Sequence, residues 1–114
     1  MNVLEFRNPV FHPGLNVTVR AGNEFVNHPS VKPGVTVTLQ SPGGNEKYGY
    51  ALIVATKHFP SVAAIPPDLL RFEHMPTCRS DTAELDRQLV KSFGPDYGPD
   101  VTLIFFYYPF NRPS

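Results

Sequence analysis

Residues 32–59 constrain the fold of this chain more than any other stretch. Val35, Val37 and Leu39 alternate with Thr36, Thr38 and Gln40, the period of two expected of a half-buried strand. Lys32-Pro33-Gly34 forms a turn before this run, because Pro fixes φ and Gly accepts a positive φ. Ser41-Pro42-Gly43-Gly44-Asn45 forms the turn after it. The next run, residues 48–59, is rich in apolar and β-branched side chains and alternates little. It is therefore predicted to be covered on both faces. Two such runs joined by a short polar loop pair antiparallel, and the remaining segments must pack on the hairpin they make.

Three further strands and two helices are predicted. Residues 3–6 alternate weakly and give a first strand. Residues 8–14 hold Pro9 and Pro13 and form a loop. Leu15, Val17 and Val19 then alternate with Asn16, Thr18 and Arg20, a strand with one apolar face and one face able to carry chemistry. Residues 67–72 begin with Pro67 and give a short helix, since Pro is accepted in a first helical turn. A longer helix starts at Ser80 or Asp81, with Glu84 three residues beyond Asp81 in a near capping box. Its apolar stripe is Leu85, Leu89 and Phe93, with Val90 alongside. Gly94-Pro95 stops it. Residues 101–108, Val-Thr-Leu-Ile-Phe-Phe-Tyr-Tyr, are strongly β-prone with large side chains on both faces, as in a central or barrel-closing strand. Short, mostly antiparallel strands with an inserted helical segment predict an α+β fold. We expect a small, partly open, antiparallel or mixed β-barrel with one short and one longer helix at its mouth.

Composition narrows the function. A chain of 114 residues is read as one domain, 1–114, able to bury a modest core. Thirteen Pro and eight Gly demand many turns and exclude a helical bundle. Formal net charge is +0, and the ten Lys and Arg are scattered. Affinity for a long phosphate backbone grows with each basic contact, so binding to long DNA is excluded. Cys78 is the only cysteine, which rules out an internal disulfide and a Cys-based zinc site. His12, His28, His58 and His74 lack metal-ligand spacing, so no metal and no cofactor is expected. Cys78 and His74 are four residues apart, but no third orienting group accompanies them, and Cys78 reads as a loop cysteine. Gly43-Gly44 lacks the Lys-Ser/Thr ending of a phosphate loop and reads as a turn. The first ten residues hold Glu5 and no apolar core of a signal peptide. No run reaches the roughly 18 apolar residues of a membrane span. A cytoplasmic location with no membrane partner is expected.

Candidate site residues come from two places. Asn16, Thr18 and Arg20 share a strand face, where an Arg can hold a phosphate or base edge and a Thr can hydrogen-bond a base. Glu73 and His74 sit in the polar loop before the second helix. A carboxylate there can serve as general base or accept from a base amino group, and a His can donate, accept or titrate near neutral pH. Tyr48, Tyr50, Tyr107 and Tyr108 are placed to stack on bases, although core packing is the commoner use of such residues.

At this point the chain resembles the ASCH domain, a branch of the PUA-like superfamily, and is nearest to its small single-domain members. Gly14-Leu15-Asn16-Val17-Thr18-Val19-Arg20 is similar to that family's early motif, a Gly, a Lys two residues on, and a strand ending in Thr-x-Arg. Lys32-Pro33-Gly34-Val35-Thr36-Val37 is similar to the start of its next strand. Residues 48–57 are similar to the long strand after that. Residues 81–93 followed by 101–106 are similar to the closing helix and strand. The resemblance implies a PUA-like barrel with a cleft between barrel and helices that takes a nucleoside or short single-stranded RNA. Asn16, Thr18, Arg20, Glu73 and His74 would be the ligand-binding residues. One branch of the family hydrolyses acetylated cytidine with a Lys, a Thr and a Glu. Here Thr18 matches the Thr, and Glu73 would serve as the Glu. The Lys is unmatched, its place falling on Asn16 or Leu15. The resemblance thus implies nucleoside or single-stranded RNA binding, with an amidohydrolase acting on acylated nucleosides as the alternative. A second alternative is a small protein-interaction domain of phage or mobile-element origin.

Overall fold

The predicted hairpin is the centre of the sheet. In the computed structural model, which describes residues 2–6, 9–22, 31–72, 82–94 and 100–110, it consists of β3 (Thr36–Gln40) and β4 (Lys47–Phe59). They pair antiparallel, with Val37 opposite Ala51 and Thr36 opposite Leu52. A single 3-10 turn, Pro42–Gly44, joins them. Gly43 and Gly44 take φ of 82° and 78° there, a left-handed conformation that residues with a Cβ rarely adopt. β1 (Val3–Glu5) adds to β3 in parallel, and β5 (Val101–Tyr108) adds to β4 antiparallel. β2 (Gly14–Ala21) then adds antiparallel to the far side of β5. The resulting five-stranded mixed sheet has the order β1-β3-β4-β5-β2 and curls into a half-barrel.

Among the described residues the two helices are α1 (Pro67–Leu70) and α2 (Thr82–Phe93), with a further 3-10 turn at Val62–Ala64. Leu85 and Leu89 of the stripe predicted for α2 are buried against the sheet. On the solvent side of α2, Glu84 accepts from Arg87 and Gln88. Those hydrogen bonds, from Gln88 first and Arg87 second, hold its carboxyl below the ordinary value. Among the described residues, no helix is long and apolar enough to cross a membrane.

Two cores lie on opposite faces of the sheet. On the outer face, Val17, Val19, Val101, Leu103 and Phe59 meet Val62, Ile65, Leu70, Leu85 and Leu89 of the helical side. The concave face holds Leu4, Phe6, Val31, Val37, Leu39, Ala51, Ile53, Ile104 and Phe106. β5 serves both cores, as its large residues on both faces predicted. Residues 101–104 and Phe106 are all buried.

β4 departs from its prediction. Only Ala51, Ile53 and Phe59 of the strand are buried, and Val54 is 47% exposed. The physical reason is twofold. The register shifts between Ile53 and Ala55, and a bulge of this kind turns out the extra residue. The helical side also covers only the part of the outer face that carries residues 101–105, leaving Tyr50, Leu52 and Tyr107 beyond it.

The concave core is aromatic. Phe11 lies 5.0 Å from Phe6, 5.8 Å from Phe106, 5.9 Å from Tyr48 and 5.0 Å from Tyr108, centroid to centroid. Such pairs add about 0.5–1.5 kcal/mol each beyond burial. Phe106→Ala is therefore expected to cost about 3–5 kcal/mol in urea denaturation. Its neighbour Tyr107, half-exposed on the other face, should tolerate Tyr107→Thr at a cost below about 1 kcal/mol.

Candidate functional site

Strand register gives the concave face two chemical ends. Arg20 of β2 lies opposite Thr102 of β5, and Thr102 lies opposite His58 of β4. One step along, Thr18 is opposite Ile104, which is opposite Thr56. A further step brings Asn16, Phe106 and Ile53 into line. Directly opposed residues project to the same face. The face therefore passes from an aromatic end at Phe106 to a polar end at Arg20, Thr102 and His58.

The polar end is held by specific bonds. His58 Nε2 lies 2.9 Å from Asp100 Oδ2, and both side chains are about one-third exposed, at 37% and 35%. The Gly22 N–H donates to the Asp100 carbonyl at 2.9 Å. The Thr102 hydroxyl donates to the Gly22 carbonyl at 2.7 Å. These three bonds tie the ends of β4, β5 and β2 together. The hydrogen bond from His58 holds the Asp100 carboxyl below its ordinary value, against the smaller opposing effect of desolvation.

Arg20 has a second task. Its Nη2 donates to the Glu5 carbonyl at 2.8 Å, and its guanidinium lies 4.7 Å from the centroid of the Phe6 ring. Since β1 and β2 are the two edges of the sheet, this side chain spans the open seam of the half-barrel. Arg suits the position because its planar fork stacks on an aromatic face and donates in its own plane.

The predicted site residues separate. Thr18 and Arg20 share the polar half of the concave face. Thr18 is 2% exposed and Arg20 half-buried. Asn16 is fully buried near the aromatic end. Its Nδ2 donates to the His12 and Gly14 carbonyls at 2.8 and 3.1 Å, and its Oδ1 accepts from the His12 N–H at 3.3 Å. That amide thus organises the turn leading into β2. Glu73 and His74 lie outside the described residues, as does Cys78. Tyr48 and Tyr108 pack against the concave core, whereas Tyr50 and Tyr107 are 37% and 50% exposed on the outer face. No group of three or more His, Cys, Asp or Glu gathers among the described residues.

His58, Thr102 and Asp100 join the candidate site from outside the sequence reading. Their signal was faint. His58 reaches the concave face only because the Val54 bulge reverses the alternation of β4, and Asp100 is a single acidic residue before an apolar run. Compared with known proteins, the chain matches no family model, no curated protein and no solved structure.

Two outcomes follow. His58→Leu removes the main cause of the Asp100 shift, so the Asp100 carboxyl should titrate nearer its ordinary value, as read by carbon-detected NMR. The sign is fixed: a depressed folded value gives stability at pH above the ordinary carboxylate range that is lost as pH falls through the folded value. Arg20→Met keeps the apolar stem but loses the hydrogen bond and the cation–π contact. It is expected to cost about 1–2 kcal/mol in urea denaturation.

Proposed function

We propose that this chain is a PUA-like binding module for a nucleoside or a short segment of single-stranded RNA. The ligand is held at the polar end of the concave sheet face. The observation that carries the reading is the register that brings Arg20, Thr102, His58 and Thr56 to that end, with Asp100 bound to His58 at 2.9 Å and Thr18 and Thr102 buried beneath them. A guanidinium, an imidazole, a carboxylate and hydroxyls are the donor and acceptor types that read unpaired bases by their edges. Arg20 also sits preoriented on Phe6, which lowers the entropy lost when it engages a ligand. The ASCH resemblance of residues 14–20 and 32–37 favours the same ligand class but not the same place: it implies a cleft between barrel and helices, and the helices pack on the face of Val17 and Val19, opposite the one that carries Thr18 and Arg20.

Hydrolysis of an acylated nucleoside is the catalytic form of this proposal. Its supporting observation is His58 oriented by Asp100, an arrangement that suits a general base. A different reading, a protein-interaction domain, is favoured by the outer face. There Val3, Tyr50, Val54 and Tyr107 are all exposed, and exposed apolar patches of this kind mark interaction sites.

An NMR titration of labelled protein with cytidine, acetylated cytidine and an unpaired hexanucleotide separates these readings. Shifts centred on Arg20, Thr56, His58 and Asp100 are expected. Acetate appearing in the same tube would establish the hydrolase. Silence at millimolar ligand would overturn nucleoside binding and leave the outer face as the functional surface.

A further inference from the structure

The band of the outer face beyond the helical cover has its charges in a pattern. Leu4 and Leu39 point into the concave core, so their neighbours Val3, Glu5, Thr38 and Gln40 point outward. Register lines these up with β4. Val3, Thr38 and Tyr50 form one row, and Glu5, Gln40 and Lys47 form the row at the rim. On the other side of the first row lie Thr36, Leu52 and Tyr107. These two inner rows hold no charge, and Val3, Tyr50 and Tyr107 are all exposed. The rim row is bipolar. Glu5 on β1 and Lys47 on β4 are exposed, and the neutral Gln40 of β3 lies between them. Two strand spacings, about 10 Å, separate the two charges. Glu5 accepts from the Gly43 N–H at 3.1 Å, and Lys47 donates to Gln40 Oε1 at 2.5 Å. A carboxylate and an ammonium each have capacity beyond one such bond.

We infer that this band packs against the same band of a second copy, face to face about a two-fold axis running along β3. Such an axis exchanges β1 with β4. It sets Glu5 of each copy over Lys47 of the other, Gln40 over Gln40, and Val3 over Tyr50. The row Glu5, Gln40, Lys47 read backwards is its own complement, which an isologous contact requires. Packed sheets lie about 10 Å apart, a gap that a Lys and a Glu side chain bridge together. A partner of one charge sign would satisfy one end of the row and repel the other, so a second copy fits better than a basic or an acidic protein. Tyr50 is the anchor, an aromatic residue of the kind that dominates interface energetics. The contact is weak. The band measures about 20 Å by 15 Å, roughly 300 Å², against about 800 Å² on each partner of a standard interface. A reversible dimer that fills only at high concentration is the consequence. It uses the sheet face and leaves the strand edges alone, and it holds whether or not a nucleoside binds the concave face.

The test is sedimentation of the intact chain at low salt, from about 10 µM to about 1 mM. A monomer at the low end is expected, with a dimer fraction that grows with a dissociation constant of about 100 µM. Concentration-dependent NMR shifts should centre on Val3, Glu5, Lys47 and Tyr50. Glu5→Lys or Lys47→Glu alone sets like charges against one another twice in the contact, and each should weaken the dimer about tenfold. The double swap, Glu5→Lys with Lys47→Glu, restores both pairs and should return the constant to within about twofold of the wild type. Tyr50→Ser removes the anchor from an exposed position and should leave the chain monomeric throughout. The wild-type concentration series needs no variant, so a misfolded mutant does not blur it. A wild-type chain that stays monomeric up to about 1 mM would overturn the inference and leave the band to a different protein. A dimer that ignores the single swaps, or that the double swap fails to recover, would also overturn it, because such a dimer forms through another surface.

Discussion

Burial of β5 on both faces is the constraint from which the rest of the structure follows. Its odd-numbered residues, Val101 and Leu103, belong to the helix-covered core, and its even-numbered residues, Ile104 and Phe106, to the concave aromatic one. Among the described residues, no other strand is shared so fully between the two. With both faces occupied and both edges paired, β5 fixes the register of β2 and β4 together. That shared register is what places Arg20, Thr102 and His58 in one row. The candidate site is thus a by-product of how the core is aligned, with Thr102, fully buried, standing at the junction.

Much of this fold was legible in the residues. Alternation over 35–40, the Pro-Gly turn chemistry of 41–45 and the apolar run of 101–108 carried enough local information to place β3, the hairpin turn and β5. The Leu85 and Leu89 spacing likewise fixed the buried side of α2. These features are legible because each is set within a few residues. The uneven cover of β4 was not legible. A bulge depends on the partner strand, and the identity of the covered stretch depends on where the helices dock, neither of which is written in the strand's own composition.

The candidate site was half legible for the same reason. Thr18 and Arg20 share a face because two residues of one strand must. Their companions come from β4 and the start of β5, and only pairing across strands assembles them. Asn16 shows the opposite limit. By period it belongs with Thr18 and Arg20, yet its amide is taken up by the backbone of His12 and Gly14, because a buried amide at the start of a strand must satisfy its hydrogen bonds with whatever lies nearest.

The seam spanned by Arg20 bears on how the chain behaves in a crowded solution. An open curled sheet has two edge strands, and each edge is a template on which another chain can add a strand. Here the curl turns β1 and β2 toward one another, and a guanidinium laid across Phe6 sits between them. An incoming strand would have to displace that charged group from its aromatic seat and from the Glu5 carbonyl. One side chain that closes the seam from within thus also guards the sheet against recruiting its own copies, which ties the closure of the half-barrel to colloidal stability.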